Sequence, residues 1–338
     1  MKAVIQSGYG PPEEVLSVQE VDTSVPKDDE VLVRVRAASV HPDVWHVVMG
    51  FPFAVRLFGN GVRKPKPTPG TDLAGVIDAI GKKVTRFQVG DEVFGECSRH
   101  GWLNGGAYAE YAAVPQDFLA LKPSSVSFEQ AAAVPTAGTI ALNNLGGAVR
   151  PKRETVLING AGGCMGPIAV QIAKADGARV TAVDCAEKLP MLRALGADHV
   201  IDYRKQEYLR NGERYDFILD VAGFRYPDEY RHALTPKGDY IPIGHAHYDT
   251  STKRIMGDLP RFLGLVFKAM LDPEKRKNFK IPKKKDVMEV FRDLLEAGKL
   301  TPVIGKTFAL SDVAAAMKCM QEGKIVGRMI VTPWRPPT

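Results

Sequence analysis

The sequence predicts an α/β protein built on a doubly wound parallel sheet, with a mainly β region before it. From Glu154 onward, short apolar segments alternate with helical patterns in the order β-α-β-α-β. The first segment, Thr155 to Ile158, is continuously apolar, as expected of a strand buried on both faces. A glycine-rich loop then leads directly into the next helical pattern. Because 338 residues exceed one ordinary domain, we expect two domains.

The composition excludes several classes of protein. Hydrophobic residues make up 45% of the chain and charged residues 25%, which is unlike a disordered, collagenous or coiled-coil chain. No apolar run is long enough to cross a membrane, and the N-terminus becomes polar at Gln6, so a signal peptide is not expected. The four cysteines are far apart, which fits a reducing, cytoplasmic location and argues against a disulfide framework.

The first 120 residues or so are predicted to be mainly β. Alternating or short apolar segments at 31–37, 74–81 and 91–95 are flanked by turn residues. A long loop over 50–70 carries aromatic side chains and a basic, proline-rich stretch.

The character of the chain changes near residue 126. Ser127 is a candidate N-cap for a helix, with Gln130 three residues later, as in a capping box. The later strands are predicted at 155–158, 179–183, 199–201, 216–220 and 238–243, with helices at 167–176, 188–195, 286–297 and 311–321 and a closing strand at 327–331.

The formal charge of +6 is concentrated in residues 253–285, which hold 11 Lys or Arg against three Asp or Glu. Such a segment can attract an anionic substrate, cofactor phosphate or partner. It lacks regularly interleaved aromatics and any known nucleic-acid motif, so a nucleic-acid partner is not expected.

The strongest chemical signal is the loop Gly160-Ala161-Gly162-Gly163-Cys164-Met165-Gly166, between a strand and a helix. It contains A-x-G-x-x-G. Small residues let the backbone approach a pyrophosphate, and the helix N-terminus offers free N–H groups and a positive dipole end. The loop therefore predicts a dinucleotide site, with a tight structural turn as the alternative.

Asp184 ends the second strand of this unit, about 20 residues after the loop. An acid in that position is suited to bind a ribose 2′-hydroxyl, which favours NADH over NADPH slightly. Lys188 and Arg179 lie nearby and can instead meet a 2′-phosphate, so the choice of NAD(P)H stays open.

These features carry a family resemblance over almost the whole chain. The chain resembles the medium-chain dehydrogenases/reductases, and within them the zinc-free quinone oxidoreductase (zeta-crystallin-like) branch. Besides the glycine loop, the matching motifs lie at 70–77, 89–95, 105–111, 131–139 and 195–203.

The resemblance implies a doubly wound Rossmann domain inserted into a mainly β, GroES-like catalytic domain. On that basis residues 1–125 and 286–338 form the catalytic domain, and residues 126–285 form the dinucleotide-binding domain. A homodimer is the family expectation.

The resemblance also bears on zinc. Zinc-dependent relatives place a ligand Cys after A-x-G-V and a His-Glu pair in G-H-E-x-x-G. Here His41 follows 37–40, Thr71 and Asp72 follow Gly70, and the expected four-cysteine lobe is represented only by Cys97. Tetrahedral zinc needs three or four such ligands, so no metal is expected. A weak site at His41 and Asp72 is the alternative.

Without a Lewis acid, the expected chemistry is hydride delivery from NAD(P)H to an already electrophilic acceptor, such as a quinone or an α,β-unsaturated carbonyl. The candidate catalytic groups are His41 and Thr136, of which Thr136 lies against the nicotinamide by resemblance. A structural histidine is the alternative for His41. Trp45, Phe51 and Phe53 are candidate walls of the substrate pocket, or plain packing residues.

Further cofactor contacts follow from the resemblance. Tyr203 is expected beside the adenine, and Val221, Ala222, Ile243 and Gly244 end two later strands at the crevice where such sheets bind ligands. Cys164 lies at a helix N-terminus, where a thiolate is stabilised, so a redox role is an alternative to simple loop filling.

Two other functions remain possible from the sequence. An alcohol dehydrogenase or enoyl-thioester reductase would use the same fold. A cofactor-binding structural or interaction protein with little activity would belong to another class, and the basic segment is the feature in its favour.

Overall fold

The structure is a computed structural model that describes residues 1–51, 53, 55–57, 61–98, 104–145, 153–244, 283–323 and 326–334. Most of the basic segment, residues 253–282, lies outside this part of the chain. Among the described residues, no helix combines the length and the apolar character needed to cross a membrane.

The N-terminal part is mainly β, as predicted. A two-stranded sheet pairs β1 (Lys2–Gln6) with β2 (Leu16–Glu20). A larger sheet follows the path β13-β14-β3-β4-β5-β7, and β6 also pairs with β3. Its strands are β3 (Glu30–Val40), β4 (Asp72–Ile80), β5 (Glu92–Glu96), β6 (Tyr111–Pro115), β7 (Leu119–Leu121), β13 (Ile304–Ala309) and β14 (Arg328–Thr332).

The C-terminal strands of the chain thus complete the N-terminal sheet. β14 pairs antiparallel with β3, and Ile330 lies opposite Ser39. β3 also pairs antiparallel with β4, and Ala38 lies opposite Leu73. These two registers bring residues 39–41, 71–72 and 328 to one end of the sheet.

The second sheet is parallel, with the strand order β10-β9-β8-β11-β12. This is the 3-2-1-4-5 order of a doubly wound dinucleotide-binding fold, and it confirms the predicted fold class. The strands are β8 (Thr155–Asn159), β9 (Arg179–Asp184), β10 (His199–Asp202), β11 (Tyr215–Asp220) and β12 (Leu234–Pro242). β8 lies at the centre because its residues are apolar and buried on both faces.

The helices are α1 (Pro12–Val15), α2 (Pro42–Met49), α3 (Phe128–Ala132), α4 (Pro135–Leu145), α5 (Gly166–Ala175), α6 (Leu189–Ala194), α7 (Pro227–Tyr230), α8 (Lys284–Glu296) and α9 (Val313–Gln321). Ser127 caps α3 in the predicted capping box with Gln130. α8 is amphipathic and buries Val287, Met288 and Phe291, in the same core cluster as α4.

Several elements differ from the sequence prediction. β4 begins at Asp72 rather than near residue 74, which places this carboxylate within the sheet. α4 was not predicted as a separate helix, because its many small and polar residues give no clear apolar period. The proposed domain boundaries remain a prediction.

Candidate cofactor and active site

The glycine loop lies at the carboxyl end of the parallel sheet. The backbone N–H groups of Gly160 and Ala161 donate to the carbonyl oxygen of Val183, at 2.9 and 3.1 Å. A Cβ on Gly166 would lie 2.2 Å from the carbonyl oxygen of Ala161, so only glycine permits this approach of α5 to the loop. In the described part of the chain, no acceptor takes the N–H of Met165 or Gly166. The start of α5 therefore offers free donors to an anion.

Asp184 and Lys188 lie across this loop, and both are buried. Asp184 accepts hydrogen bonds from the N–H of Gly162 at 2.7 Å and of Cys185 at 2.8 Å. The Lys188 ammonium lies 3.5 Å from Asp184 Oδ1 and donates to the Gly323 carbonyl at 3.3 Å. A Cβ on Gly162 would lie 2.6 Å from Lys188 Cδ. The acid and the base predicted near the ribose thus form one pair.

The other predicted cofactor residues lie at the same edge. A Cβ on Gly160 would be 3.0 Å from the Ala222 nitrogen, and one on Gly244 would overlap the Val221 carbonyl. The N–H of Ile243 donates to the Asp220 carbonyl at 2.8 Å. These residues follow β11 and β12, so the structure brings them beside the loop.

Tyr203 follows β10 and is half exposed. Its N–H donates to the Asp184 carbonyl at 3.2 Å, and Arg204 lies 5.7 Å from the centre of its ring. The ring is therefore at the Asp184 side of the crevice. Arg179, by contrast, begins β9 and pairs with Glu213 at 3.1 Å, so it lies at the opposite end of the strand from Asp184.

The polar cluster of the catalytic region is centred on Asp72, which is completely buried. Its carboxylate accepts hydrogen bonds from the hydroxyls of Ser39 at 2.9 Å, Thr136 at 2.5 Å and Thr71 at 3.3 Å. The N–H of Thr136, in the first turn of α4, donates to it at 3.2 Å. A carboxylate is favoured there by the free N–H groups of the helix.

His41 and Thr136, the predicted catalytic residues, both belong to this cluster. His41 Nε2 lies 2.6 Å from Thr71 Oγ1 and 4.0 Å from Asp72 Oδ2. Burial lowers the pKa of His41 to about 4, although Asp72 opposes this effect. His41 is therefore neutral at pH 7. The Thr136 hydroxyl donates its single proton to Asp72, so toward a substrate it presents only an acceptor.

Asp43 is a titratable neighbour that the sequence analysis missed. Its Oδ2 lies 3.8 Å from His41 Nδ1, and burial raises its pKa to about 6. It stands in the first turn of α2, two residues after His41. The sequence signal available was an acid directly after His41-Pro42, at a helix start.

Arg328 is the second residue that the sequence analysis missed. Its guanidinium donates to Asp72 Oδ2 at 3.0 Å and to Ser39 Oγ at 3.1 Å. Nε is buried and has no hydrogen-bond partner among the described residues. The preceding residue, Gly327, donates its N–H to the Gly162 carbonyl of the glycine loop at 3.2 Å. Arg328 thus places a buried cation between the loop and the polar cluster.

The three aromatic candidates lie in different surroundings. Trp45 is completely buried in the hydrophobic core beside the larger N-terminal sheet, a position typical of a packing residue. The carbonyl oxygen of Phe51 lies 2.9 Å from His46 Nδ1. Phe53 is 39% exposed, and the Arg56 guanidinium lies 5.3 Å from its ring centre.

Two further expectations concern cysteine and metal. Burial raises the pKa of the Cys164 thiol, which disfavours the thiolate that a redox role requires. The Cys97 thiol is buried and donates to the Thr71 carbonyl at 3.0 Å. Within the described residues, no group of three or more His, Cys, Asp or Glu side chains is arranged to hold a metal ion.

Comparisons with known proteins agree with this architecture. Residues 27–124 match the alcohol dehydrogenase GroES-like domain, and residues 195–331 match the zinc-binding dehydrogenase family. The chain is 31% identical to a chloroplastic quinone-oxidoreductase homolog of Spinacia oleracea, over 98% of both chains. It is 30% identical to a chloroplastic NADPH-dependent alkenal/one oxidoreductase of Arabidopsis thaliana, over 98% of this chain and 80% of the relative.

A solved structure shows the same fold. The quinone oxidoreductase from Coxiella burnetii superposes with a TM-score of 0.78, at 24% identity, over 98% of this chain and 99% of that one. Three observations support one family: the sequence identity along almost the whole chain, the two family matches and the strand order. The chain therefore belongs to the medium-chain dehydrogenase/reductase superfamily, in its quinone oxidoreductase branch.

Proposed function

We propose that the protein is an NAD(P)H-dependent reductase of quinones or α,β-unsaturated carbonyl compounds that works without zinc. The observation that carries this proposal is the donor set around Asp72. Hydroxyl groups and a guanidinium surround this carboxylate, in the region where zinc-dependent relatives place thiolate and imidazole ligands. These groups form hydrogen bonds to one another and offer no set of soft ligands.

The residues near the glycine loop fit a dinucleotide. The loop is rich in glycine, α5 offers N–H donors at its start, and Arg328 Nε is a buried donor with no acceptor among the described residues. When bound, the reduced nicotinamide would supply the hydride. Gly160, Ala161, Gly163, Cys164, Met165 and Gly166 would hold the phosphates, with Val221, Ala222, Ile243 and Gly244 beside the ring and Tyr203 near the adenine.

A quinone or an enone suits this site because it is electrophilic without a metal. The protein then has to orient the acceptor, exclude water and offer a polar group. His41 and Thr136 would line the acceptor pocket, and Phe51 and Phe53 would form its apolar wall. The named activities of the Spinacia oleracea and Arabidopsis thaliana relatives support the same acceptor class.

The choice between NADH and NADPH is set, in our proposal, by the Asp184–Lys188 pair. Asp184 disfavours binding of a 2′-phosphate and Lys188 favours it. The two opposite charges lie 3.5 Å apart and offset each other. We therefore expect both cofactors to be used, within about tenfold of each other. The slight preference for NADH expected from Asp184 alone has no support from the comparisons.

The test is to follow oxidation of NADH and NADPH with a small quinone, an enone and a simple aldehyde. We expect turnover of the quinone and the enone, unchanged after treatment with a chelator. Turnover of the aldehyde alone, lost on chelation, would instead indicate a zinc alcohol dehydrogenase. Cofactor binding without turnover of any acceptor would favour a binding or structural role.

The cytoplasmic location and the homodimer also remain proposals. Both named relatives are chloroplastic, so they do not support a cytoplasmic location. Fractionation and light scattering would test the two proposals.

A further inference from the structure

We propose that Asp72 is a positioning residue: its carboxylate fixes which nitrogen of His41 carries the proton and holds Arg328 beside the glycine loop. One buried carboxylate would thus fix the protonation of His41 on the acceptor side of the crevice and the position of Arg328 on the cofactor side. The effect on turnover rests on the proposed reductase function, whereas the effect on His41 does not.

Three hydroxyl groups around the Asp72 carboxylate each carry one proton. A hydroxyl has one proton to donate and can accept with its lone pairs. Ser39, Thr71 and Thr136 each direct that proton to Asp72, the charged acceptor of the cluster. Hydrogen bonds to a charged acceptor are stronger than neutral ones, so this order of protons is favoured.

The direction of the Thr71 proton determines the tautomer of His41. Because the Thr71 proton points to Asp72, Thr71 Oγ1 can only accept from His41 Nε2, 2.6 Å away. Carboxylate oxygens lie at similar distances from the two ring nitrogens, 4.0 Å from Nε2 for Asp72 and 3.8 Å from Nδ1 for Asp43, so the short contact with Thr71 decides the tautomer. Neutral His41 is therefore the Nε2–H tautomer, and Nδ1 is an acceptor facing Asp43.

Asp72 also holds the side chain of Arg328. Ser39 donates to Asp72 and accepts from Arg328, so the carboxylate and the serine hold one nitrogen of the guanidinium. Asp72 is also the counter-charge of this buried cation, at 3.0 Å. Within the described part of the chain, Nε of this guanidinium has no hydrogen-bond partner, and the backbone next to it contacts the glycine loop.

The first experiment uses the full chain without cofactor or acceptor. Nitrogen-15 NMR of histidine-labelled protein at pH 7 reports the tautomer, and the His41 signals are assigned by their loss in His41→Asn. We expect the Nε2–H tautomer in the wild type and its loss as the dominant form in Thr71→Val. A wild-type Nδ1–H tautomer, or no change in Thr71→Val, would overturn the proposal.

The second experiment removes the charge at position 72. In Asp72→Asn we expect kcat with the best acceptor to fall about tenfold or more, because the hydroxyl order is lost. We expect NADPH to bind about three- to tenfold tighter in a fluorescence titration, because Arg328 loses its counter-charge. A purely structural role would weaken binding and turnover together.

The control is Asp216→Asn, at the opposite end of the parallel sheet. Asp216 also accepts several hydrogen bonds, from Thr155, Thr235 and the N–H of Glu154, but touches neither the loop nor the cluster. We expect the cofactor affinity and the kcat of this variant to remain within about twofold of the wild type.

A double-mutant cycle locates the effect. In an Arg328→Met background, Asp72→Asn should no longer tighten NADPH binding, because the cation that it releases is gone. If the affinity still rises, or if it falls in the single variant, Arg328 is not the link. The NMR experiment needs no acceptor, so it tests the His41 tautomer even if the protein turns over none of the proposed acceptors. The turnover assay, in the same way, tests the proposed activity whichever tautomer NMR finds.

Discussion

The Asp184 carboxylate accepts a hydrogen bond from the backbone N–H of Gly162 at 2.7 Å, and so braces the glycine loop from the end of the neighbouring strand. Its other oxygen lies 3.5 Å from the ammonium of Lys188. Asp184, which we expect to bind a ribose hydroxyl, thus also stabilises the glycine loop and forms an ion pair. This double role makes cofactor choice testable with two opposite variants.

We predict that Asp184→Asn shifts the preference between the cofactors toward NADPH, by about tenfold in kcat/KM. The amide keeps an oxygen for Gly162 but removes the charge that repels a 2′-phosphate. The matched variant Lys188→Met should shift the preference toward NADH. Steady-state kinetics with both cofactors measures the ratios; equal shifts in one direction would contradict the balanced pair.

We predict that Gly166→Ala weakens binding of either cofactor more than tenfold, because the added Cβ would lie 2.2 Å from the Ala161 carbonyl and push α5 from the loop. Gly8→Ala is the control, since an added Cβ there would have no atom within 4 Å and Gly8 lies outside the glycine loop. Titration of cofactor fluorescence compares the two. Similar losses in both variants would show that close helix packing is not the cause.

We predict that His41→Asn changes how stability depends on pH. Burial lowers the pKa of His41 to about 4, from the 6.5 of a free side chain. Between these values the unfolded chain takes up a proton that the folded protein does not. The folded wild type therefore loses stability as the pH falls through this window, by on the order of 2–3 kcal/mol, and the variant lacks this loss.

Urea unfolding at several pH values between 4 and 8 measures this difference. Asp43, whose pKa burial raises to about 6, contributes with the opposite sign, but it is present in both proteins. His199→Asn is the control, because His199 is exposed on β10. Parallel curves for the wild type and His41→Asn would show that His41 titrates normally in the fold.

We predict that Thr136→Val lowers kcat about tenfold while Thr136→Ser retains most of it, because the hydroxyl that donates to Asp72 at 2.5 Å positions the first turn of α4. Thr139→Val, one turn later, is the control. Its hydroxyl donates to the Pro135 carbonyl at 2.7 Å, lies 3.2 Å from a Glu96 carboxylate oxygen, and forms no hydrogen bond with Asp72. Equal loss in Thr136→Val and Thr139→Val would point to a general defect of the helix.

Much of the parallel sheet could be predicted from the sequence because its signals are local. Apolar runs of strand length, the glycine loop and the Ser127 capping box each depend on residues close together in the chain. The bounds of β8, β9, α5 and β10 accordingly fall within one or two residues of prediction. α4 and the short strands β6, β7 and β13 were missed because they lack a clear period.

The sequence by itself determined the fold class, the glycine loop between a strand and a helix, and the position of Asp184 at a strand end, because these follow from local period and from fixed spacing along the chain. The tertiary structure alone decided what surrounds Asp72. Ser39 and Arg328 are 289 residues apart, and the β3–β14 register brings them within 3.1 Å. Hydrogen-bond partners across a sheet depend on register, which no local pattern in this chain records.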